Sequence, residues 1–185
     1  MSDIHISRRQ LLIAGGLALG ACALPGTAIA TPFKAKDPRT ISLCNIHTGE
    51  NLETEYYNGR GYIYSELKRM NHLCRDFRQN EATRMDKRLF DTIAHIQDVL
   101  GHKGQAQIIS GYRSPATNKM LARRSGGVAK KSYHMTGQAI DFNLEGIPLS
   151  KVRRAAMELN IGGVGYYPKS GFVHIDTGPV RQWRG

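Results

Sequence analysis

The chain has 185 residues, of which 41% are hydrophobic and 22% are charged. That length and composition suit one globular domain and exclude a disordered chain or two large domains. The 26 Lys and Arg residues outnumber the 15 Asp and Glu residues, giving a net charge of +11. The partner should therefore be anionic: nucleic acid, a membrane surface or an acidic polymer. No apolar run reaches the roughly 20 residues of a transmembrane helix, which excludes a membrane-spanning bundle.

The first 30 residues have the features of an export signal. The pair Arg8-Arg9 precedes a moderately apolar stretch from Leu11 to Leu24. Ala28-Ile29-Ala30 then has the small-x-small form that signal peptidases cleave. Because this order resembles a bacterial twin-arginine signal, we predict a signal peptide over residues 1–30 and a mature domain over residues 31–185.

A second interpretation of the signal remains open. Leu19-Gly20-Ala21-Cys22 resembles a lipoprotein cleavage box, which would leave a lipid anchor on Cys22. With either cleavage site the mature domain stays basic, and cleavage after Ala30 leaves a net charge of +10. An exported location argues against nucleic acid, whereas peptidoglycan carries free carboxylates throughout the bacterial envelope. We therefore expect peptidoglycan as the partner, with no nucleic acid and no stable membrane span.

The first half of the mature chain predicts a hairpin and two helices. Ile41–Ile46 and Leu52–Tyr57 are predicted strands around Thr48-Gly49-Glu50-Asn51. Ser65 is the predicted N-cap of an amphipathic helix. Its apolar residues recur at three- and four-residue spacing as far as Phe77. A second helix should begin after Asp86 and end near Gly101.

The second half alternates strands and helices. The predicted elements are a strand over Gln105–Ser110, a helix over Pro115–Arg124, a strand over Ala139–Phe142, a helix over Pro148–Leu159 and a final hairpin of Gly163–Tyr167 with Phe172–Asp176. We therefore predict an α+β domain, with helices packed on one face of a small, mainly antiparallel sheet. Cys44 and Cys74 could pair in an oxidising compartment, although two separate buried thiols are the slightly favoured interpretation.

Three side chains in the second half are candidate zinc ligands: His134, Asp141 and His174. Two imidazoles and a carboxylate suit a catalytic zinc, whose fourth position holds a water with its pKa lowered to about 7. Gly137 would permit a tight turn between His134 and Asp141, and strand alternation would place Asp141 opposite its apolar neighbours. On composition alone, hydrogen-bonded structural histidines are the commoner explanation.

Four blocks of sequence extend this pattern. They are Ser110-Gly111-Tyr112-Arg113-Ser114, Ser132-Tyr133-His134-x-x-Gly137-x-Ala139-x-Asp141, Gly163-Val164-Gly165-Tyr166-Tyr167 and Val173-His174-Ile175-Asp176. Together they resemble the zinc peptidases of bacterial cell walls, the group that includes D-alanyl-D-alanine carboxypeptidases and dipeptidases and the LAS murein endopeptidases. The resemblance is closest to the murein endopeptidase K branch, along nearly the whole mature chain.

The resemblance implies that His134, Asp141 and His174 bind Zn²⁺, and that Arg113 steadies the substrate carbonyl, where a guanidinium would bind the developing oxyanion. Many relatives carry a general-base glutamate three residues before the last histidine ligand, but here that position is Gly171. Asp176 is our candidate for the base. Alternatively, Asp176 orients an imidazole N–H, and both roles remain open.

The resemblance implies a zinc-dependent murein endopeptidase that hydrolyses peptide cross-links of peptidoglycan in the cell envelope. A diaminopimelyl–diaminopimelyl bond is the favoured target, and a D-alanyl–diaminopimelyl bond is the alternative. Two other functions stay open: a D-alanyl-D-alanine-type carboxypeptidase and a non-catalytic peptidoglycan-binding module. We expect the protein to act as a monomer.

Overall fold

A computed structural model describes residues 37–124 and 128–185. The predicted signal peptide over residues 1–30 and Cys22 lie outside the described residues. Within them the strands are β1 (Pro38–Asn45), β2 (Asn51–Asn58), β3 (Ala106–Ser110), β4 (Ala139–Leu144), β5 (Gly163–Tyr167), β6 (Phe172–Asp176) and β7 (Arg181–Arg184). The α-helices are α1 (Tyr64–Leu73), α2 (Lys87–Val99), α3 (Pro115–Arg124) and α4 (Leu149–Glu158), and Tyr133–Thr136 forms a 3₁₀ turn. None of these helices has the length and apolar character that crossing a membrane requires.

The strands form one sheet in the order β2-β1-β3-β4-β6-β5-β7. Strand β1 pairs in parallel with β3, and β5 pairs in parallel with β7. The other four pairings are antiparallel. The sheet is therefore mixed but mainly antiparallel, and the predicted α+β class is confirmed.

The two faces of the sheet have different surroundings because side chains alternate along each strand. On β4 and β6, Ile140, Phe142, Val173 and Ile175 are buried in the hydrophobic core. Helices α2 and α4 pack against this face, and α2 contributes an apolar stripe of Leu89, Phe90, Ile93 and Ile96. The opposite face of the same strands is left to polar side chains, so the core supports a site without occupying it.

Helix α1 differs from its prediction at both ends. It begins at Tyr64, because the N–H of Ile63 donates a hydrogen bond to the Tyr56 carbonyl (2.8 Å) and fixes the chain there. Ser65 therefore lies inside the first turn and does not cap the helix. It ends at Leu73, because the Cys74 carbonyl accepts the Tyr112 N–H (2.7 Å) instead of continuing the helix.

The prediction for the second helix is confirmed. Helix α2 follows Asp86, whose carboxylate accepts the Arg88 N–H (3.1 Å) as an N-cap. It stops before Gly101, which has the left-handed φ of 62° typical of a residue after a helix. Cys44 and Cys74 are free thiols in the described chain, but only Cys74 is buried, so the burial predicted for Cys44 is wrong.

Asp86 also joins the start of α2 to distant parts of the fold. Its Oδ2 accepts a hydrogen bond from Thr177 (3.0 Å), just beyond β6, and its backbone N–H donates to Gly137 (2.8 Å). Burial opposes ionisation of this carboxyl, but hydrogen bonds from Arg88 and Thr177 outweigh it and lower its pKa below 3.8. A folded-state pKa below the unfolded value means that the ionised carboxylate stabilises the fold at neutral pH.

We expect Asp86→Ala to lower the free energy of unfolding by about 1–2 kcal/mol at pH 7, since it removes an N-cap. The loss should shrink as the pH falls from about 4 through the folded pKa, because protonation removes the same interaction from the wild type. Urea unfolding of the wild type and the variant at pH 7 and at successively lower pH measures the loss and its pH dependence. Asp98→Ala, at an exposed position of α2, is the control. An equal loss at every pH would contradict the electrostatic part of this explanation.

Candidate metal centre

Four adjacent strands align the candidate site in one row. In the sheet register, Asp141 of β4 lies opposite His174 of β6. Gly165 of β5 lies on the other side of His174, and Trp183 of β7 lies beyond Gly165. Directly opposed residues of neighbouring strands share one face of a sheet. The row therefore lies on the face turned away from the core, as the alternation around Asp141 predicts.

His134 reaches this row from the 3₁₀ turn that precedes β4. The Ser132 hydroxyl accepts the His134 N–H (3.4 Å) at the start of the turn, and Gly137 ends it with a φ of 68°. A Cβ on Gly137 would lie 2.5 Å from the Arg84 carbonyl oxygen, so this position requires glycine for both its φ and its space. The tight turn predicted at Gly137 is confirmed.

The three predicted metal ligands come together in the structure. Nε2 of His134 lies 3.2 Å from Nδ1 of His174 and 3.3 Å from Oδ2 of Asp141. Nδ1 of His174 lies 2.8 Å from Oδ1 of Asp141. All three residues are buried, and one ligand atom from each lies within 4.8 Å of the others. The point between these three ligand atoms is the candidate metal site, hereafter the metal-binding point.

The outward ring nitrogens determine which atoms face this point. Nδ1 of His134 lies 2.7 Å from the Gly111 carbonyl oxygen, and Nε2 of His174 lies 3.1 Å from Oδ2 of Asp176. Carbonyls and ionised carboxylates only accept hydrogen bonds, so these nitrogens carry protons. The inward nitrogens, Nε2 of His134 and Nδ1 of His174, converge with the Asp141 carboxylate on one point. A cation bound there would take the place of the proton that Nδ1 of His174 otherwise donates to Asp141. This donor set fits a divalent cation of the zinc type.

The charges around the point also favour a cation. Burial alone would disfavour the charged form of His174, but Asp141 and Asp176 outweigh it and raise the pKa of His174 to about 9. Burial likewise disfavours ionisation of Asp141, and His134 and His174 outweigh it to hold the pKa of Asp141 below its usual range. The carboxylates therefore make the point attractive to positive charge.

Asp176 lies behind His174 and is saturated with donors. Its Oδ1 accepts from the Gly163 N–H (3.2 Å), the Gly178 N–H (2.9 Å) and Nη1 of Arg181 (3.0 Å). Its Oδ2 accepts from His174 and from Nη2 of Arg181 (2.6 Å). The side chain has no exposed surface. Burial opposes its ionisation, but the hydrogen bonds from His174 and Arg181 outweigh it and lower the pKa.

Two glycines of β5 let side chains from β7 reach this region. A Cβ on Gly163 would lie 2.4 Å from Nη1 of Arg181, and a Cβ on Gly165 would lie 2.6 Å from Cε2 of Trp183. The indole lies over this gap with its ring 5.1 Å from that of His174. The sequence analysis missed Arg181, Trp183 and β7. The alternating glycines of Gly163-x-Gly165 could have predicted this, because glycine at every second position of a strand lets another segment pack closely over one face.

Arg113 borders the metal-binding point, as expected for an oxyanion-binding arginine. Its Nη2 lies 3.5 Å from Oδ2 of Asp141 and 3.2 Å from Oγ of Ser110. Its Nη1 lies 3.4 Å from the side-chain oxygen of Asn118. Nε is buried with no hydrogen-bond partner among the described residues. The guanidinium is thus held in place beside Asp141.

A cleft of about 440 Å³ opens beside these groups. Its lining includes the three ligands, Arg113, Lys131, Ser132, Tyr133, Tyr167, Ser170, Arg181 and Trp183. Among the described lining residues, Asp141 is the only carboxylate. Gly171 lies in the turn between β5 and β6 with a φ of 74°, a conformation that disfavours glutamate there.

Trp183 is the only tryptophan of the sequence and should report on the metal-binding point. We expect Zn²⁺ to change its fluorescence emission when added to metal-free protein, because the indole lies against His174. His174→Ala should abolish the change, and Gly165→Ala should disturb it by displacing the indole. His72→Ala, at an exposed position of α1, should leave it intact. An unchanged emission with stoichiometric zinc bound would contradict this placement.

Comparison with known proteins gives full-length matches. The family model described as Peptidoglycan L,D-endopeptidase MepK matches residues 33–183. The chain is 52% identical over 183 residues to the Peptidoglycan L,D-endopeptidase MepK of Escherichia coli (strain K12), covering 99% of this chain and 100% of the relative. It is 45% identical over 186 residues to the Probable peptidoglycan L,D-endopeptidase MepK of Haemophilus influenzae, covering 100% of both. The chain therefore belongs to the family of the peptidoglycan L,D-endopeptidase MepK.

Proposed function

We propose that the protein is a zinc-dependent endopeptidase that hydrolyses peptide cross-links of peptidoglycan. The observation that carries this proposal is the convergence of two imidazole nitrogens and a carboxylate on one buried point beside an open cleft. The names of the family and of its relatives support peptidoglycan as the substrate. An endopeptidase needs room for peptide on both sides of the scissile bond, and a cleft meets that need better than a closed pocket.

The bond that we propose is the diaminopimelyl–diaminopimelyl cross-link. Relatives at 52% and 45% identity carry the name L,D-endopeptidase. In a diaminopimelyl–diaminopimelyl cross-link the carbonyl belongs to an L centre and the amine to a D centre, whereas a D-alanyl–diaminopimelyl cross-link joins two D centres. The stereochemistry in the relatives' names therefore supports the first bond over the second.

His134, Asp141 and His174 would hold the zinc, which when bound supplies a Lewis acid and a water acidified to a pKa of about 7. Gly111 and Asp176 fix the protons of the two imidazoles on their outward nitrogens and leave the inward nitrogens for the metal. Arg113 would stabilise the oxyanion that develops on the scissile amide, as a preorganised cation that need not move during the reaction.

Asp176 is better placed to orient His174 than to accept a proton from water. Both of its oxygens already accept hydrogen bonds, from His174, Arg181 and two backbone N–H groups. It does not line the cleft, and its lowered pKa makes it a weak base. We therefore propose the orienting role of the two that the sequence left open.

The basic surface fits an anionic polymer as substrate. Lys131 and Arg181 line the cleft together with Arg113, and the mature domain keeps a net charge of +10. Long-range attraction raises the local concentration of a negatively charged partner. We further propose export by the twin-arginine-type signal over residues 1–30, which would bring the domain to the envelope, with lipidation of Cys22 as the alternative to cleavage after Ala30.

Digestion of purified peptidoglycan sacculi tests the proposed function. We expect loss of cross-linked muropeptide dimers, measured by chromatography with mass spectrometry of the released fragments. A chelator or His134→Ala should abolish the loss, and added Zn²⁺ should restore it only in the chelated wild type. His72→Ala is the matched control at an exposed position.

Other products would identify a different function. Unchanged cross-linking with shortened stem peptides would replace the endopeptidase with a carboxypeptidase, whose substrate carboxylate would need one of the cations in the cleft. Binding to sacculi with no product, despite bound zinc, would indicate a non-catalytic module. Loss of D-alanyl–diaminopimelyl dimers alone would overturn the proposed bond.

Asp176→Asn separates the two roles of Asp176. If Asp176 orients His174, the variant should bind zinc about 10- to 100-fold more weakly and recover most of its activity at saturating Zn²⁺. If Asp176 accepts a proton, activity should stay low when the site is fully loaded. Zinc affinity by competition with a chromogenic chelator, and turnover at saturating Zn²⁺, decide between these outcomes. Asp98→Asn controls for the loss of one negative charge.

A further inference from the structure

Tyr167 and Trp183 form a hydrogen-bonded pair beside the metal-binding point. Nε1 of Trp183 donates to the Tyr167 hydroxyl oxygen at 2.8 Å. Tyr167 ends β5 on the same face as Gly163 and Gly165, and both rings line the cleft with the three proposed ligands and Arg113. Neither the proposed metal binding nor the proposed oxyanion stabilisation by Arg113 uses this pair.

The Tyr167 ring is held from two sides. It stacks on Phe172 of β6 with ring centroids 4.6 Å apart and an interplanar angle of 21°. Near Gly185 the ring approaches so closely that a Cβ there would lie 2.3 Å from Cε1. A ring packed in this way keeps its hydroxyl in one position, which makes it preorganised for an interaction with a ligand.

The hydrogen bond from Trp183 also sets the direction of the phenol proton. A phenol O–H lies near the ring plane and has two favourable orientations. Because the indole N–H already points at the oxygen from one side, the O–H must point away from it. Among the described residues, the hydrogen bond of the Tyr167 hydroxyl is the one that it accepts from Trp183. The pair therefore presents an oriented and unused donor on a residue that lines the cleft.

Neighbouring tyrosines are arranged differently. Tyr166 points to the opposite face of β5, where it packs against the core, and Arg153 and Arg184 lie against its ring. The ring of Tyr133 packs so tightly on Gly178 that a Cβ there would lie 2.6 Å from its hydroxyl oxygen. Only Tyr167 among these three accepts the N–H of a tryptophan that also contacts a proposed metal ligand.

We propose that the Tyr167 hydroxyl is a catalytic hydrogen-bond donor to the oxygen of the scissile amide, and that Trp183 is the residue that positions it. This inference rests on the proposed peptidase function. The hydrogen bond strengthens as negative charge develops on the substrate oxygen, and no proton is transferred. Tyr167 thus complements Arg113, which supplies positive charge, with a neutral donor fixed by the sheet.

Kinetics on a purified cross-linked muropeptide dimer test the proposal. Tyr167→Phe keeps the ring and removes the donor, so kcat should fall about 10²-fold or more, with little change in KM, zinc content or melting temperature. Tyr166→Phe is the matched control and should keep wild-type kcat. Trp183→Phe removes the orienting N–H and should lower kcat about tenfold at saturating Zn²⁺, with little effect on KM.

The double variant distinguishes positioning from a structural role. If Trp183 acts through Tyr167, Trp183→Phe should cost nothing more in the Tyr167→Phe background. Wild-type kcat in Tyr167→Phe would overturn the proposal, as would losses that multiply in the double variant. A fall in kcat that follows zinc content would also overturn it, by showing that the pair serves metal binding alone. An inactive wild type would refute the proposed function itself, and the inference with it.

Discussion

The hydrogen bond between His174 and Asp176 links the metal-binding point to the rest of the sheet. It holds Nε2 of the imidazole against Asp176, so the opposite nitrogen, Nδ1, faces Asp141 and His134. Asp176 is itself held by Arg181, by the backbone N–H of Gly163 in β5 and by that of Gly178 after β6. A buried carboxylate with this many donors costs little to keep ionised. The geometry of the ligands is thus set by groups that do not touch the metal-binding point.

Strand alternation makes this arrangement compatible with a stable core. Strands β4, β5 and β6 place apolar side chains under the helices, whereas Asp141, His174 and Asp176 lie on the opposite face of β4 and β6. The free energy gained by burying the apolar residues stabilises the sheet that carries the row of Asp141, His174, Gly165 and Trp183. The polar residues then satisfy one another, so the site adds few unpaired groups to the interior.

Much of this fold could be predicted from the sequence, because apolar spacing and turn residues determine the hairpin of β1 and β2, helix α2 and the strands that carry Asp141 and His174. The ends of α1 depend on hydrogen bonds to distant segments, such as that from Tyr112 to Cys74. Strand β7 was missed because Arg181–Arg184 has one apolar residue, Trp183, and pairs only at the sheet edge.

For the site, motif resemblance supplied the ligand residues and Arg113, whereas the ring nitrogens involved and the surroundings of Asp176 required coordinates. The spacing of His134, Asp141 and His174 could not show that their side chains meet, and the coordinates place their ligand atoms within 4.8 Å of one another. Trp183 offered no chemical signal in the sequence, since its importance depends on the gap that Gly165 leaves in the neighbouring strand.

The position of β7 at the edge of the sheet has a consequence for the lifetime of a bound ion. Edge strands are hydrogen-bonded on one side, so they open locally with less free energy than central strands. Such an opening would remove Arg181 from Asp176 and Trp183 from His174 while α2 and α4 stay packed on the other face. For an ion held there as proposed, exchange would require only fraying of one short strand and not global unfolding.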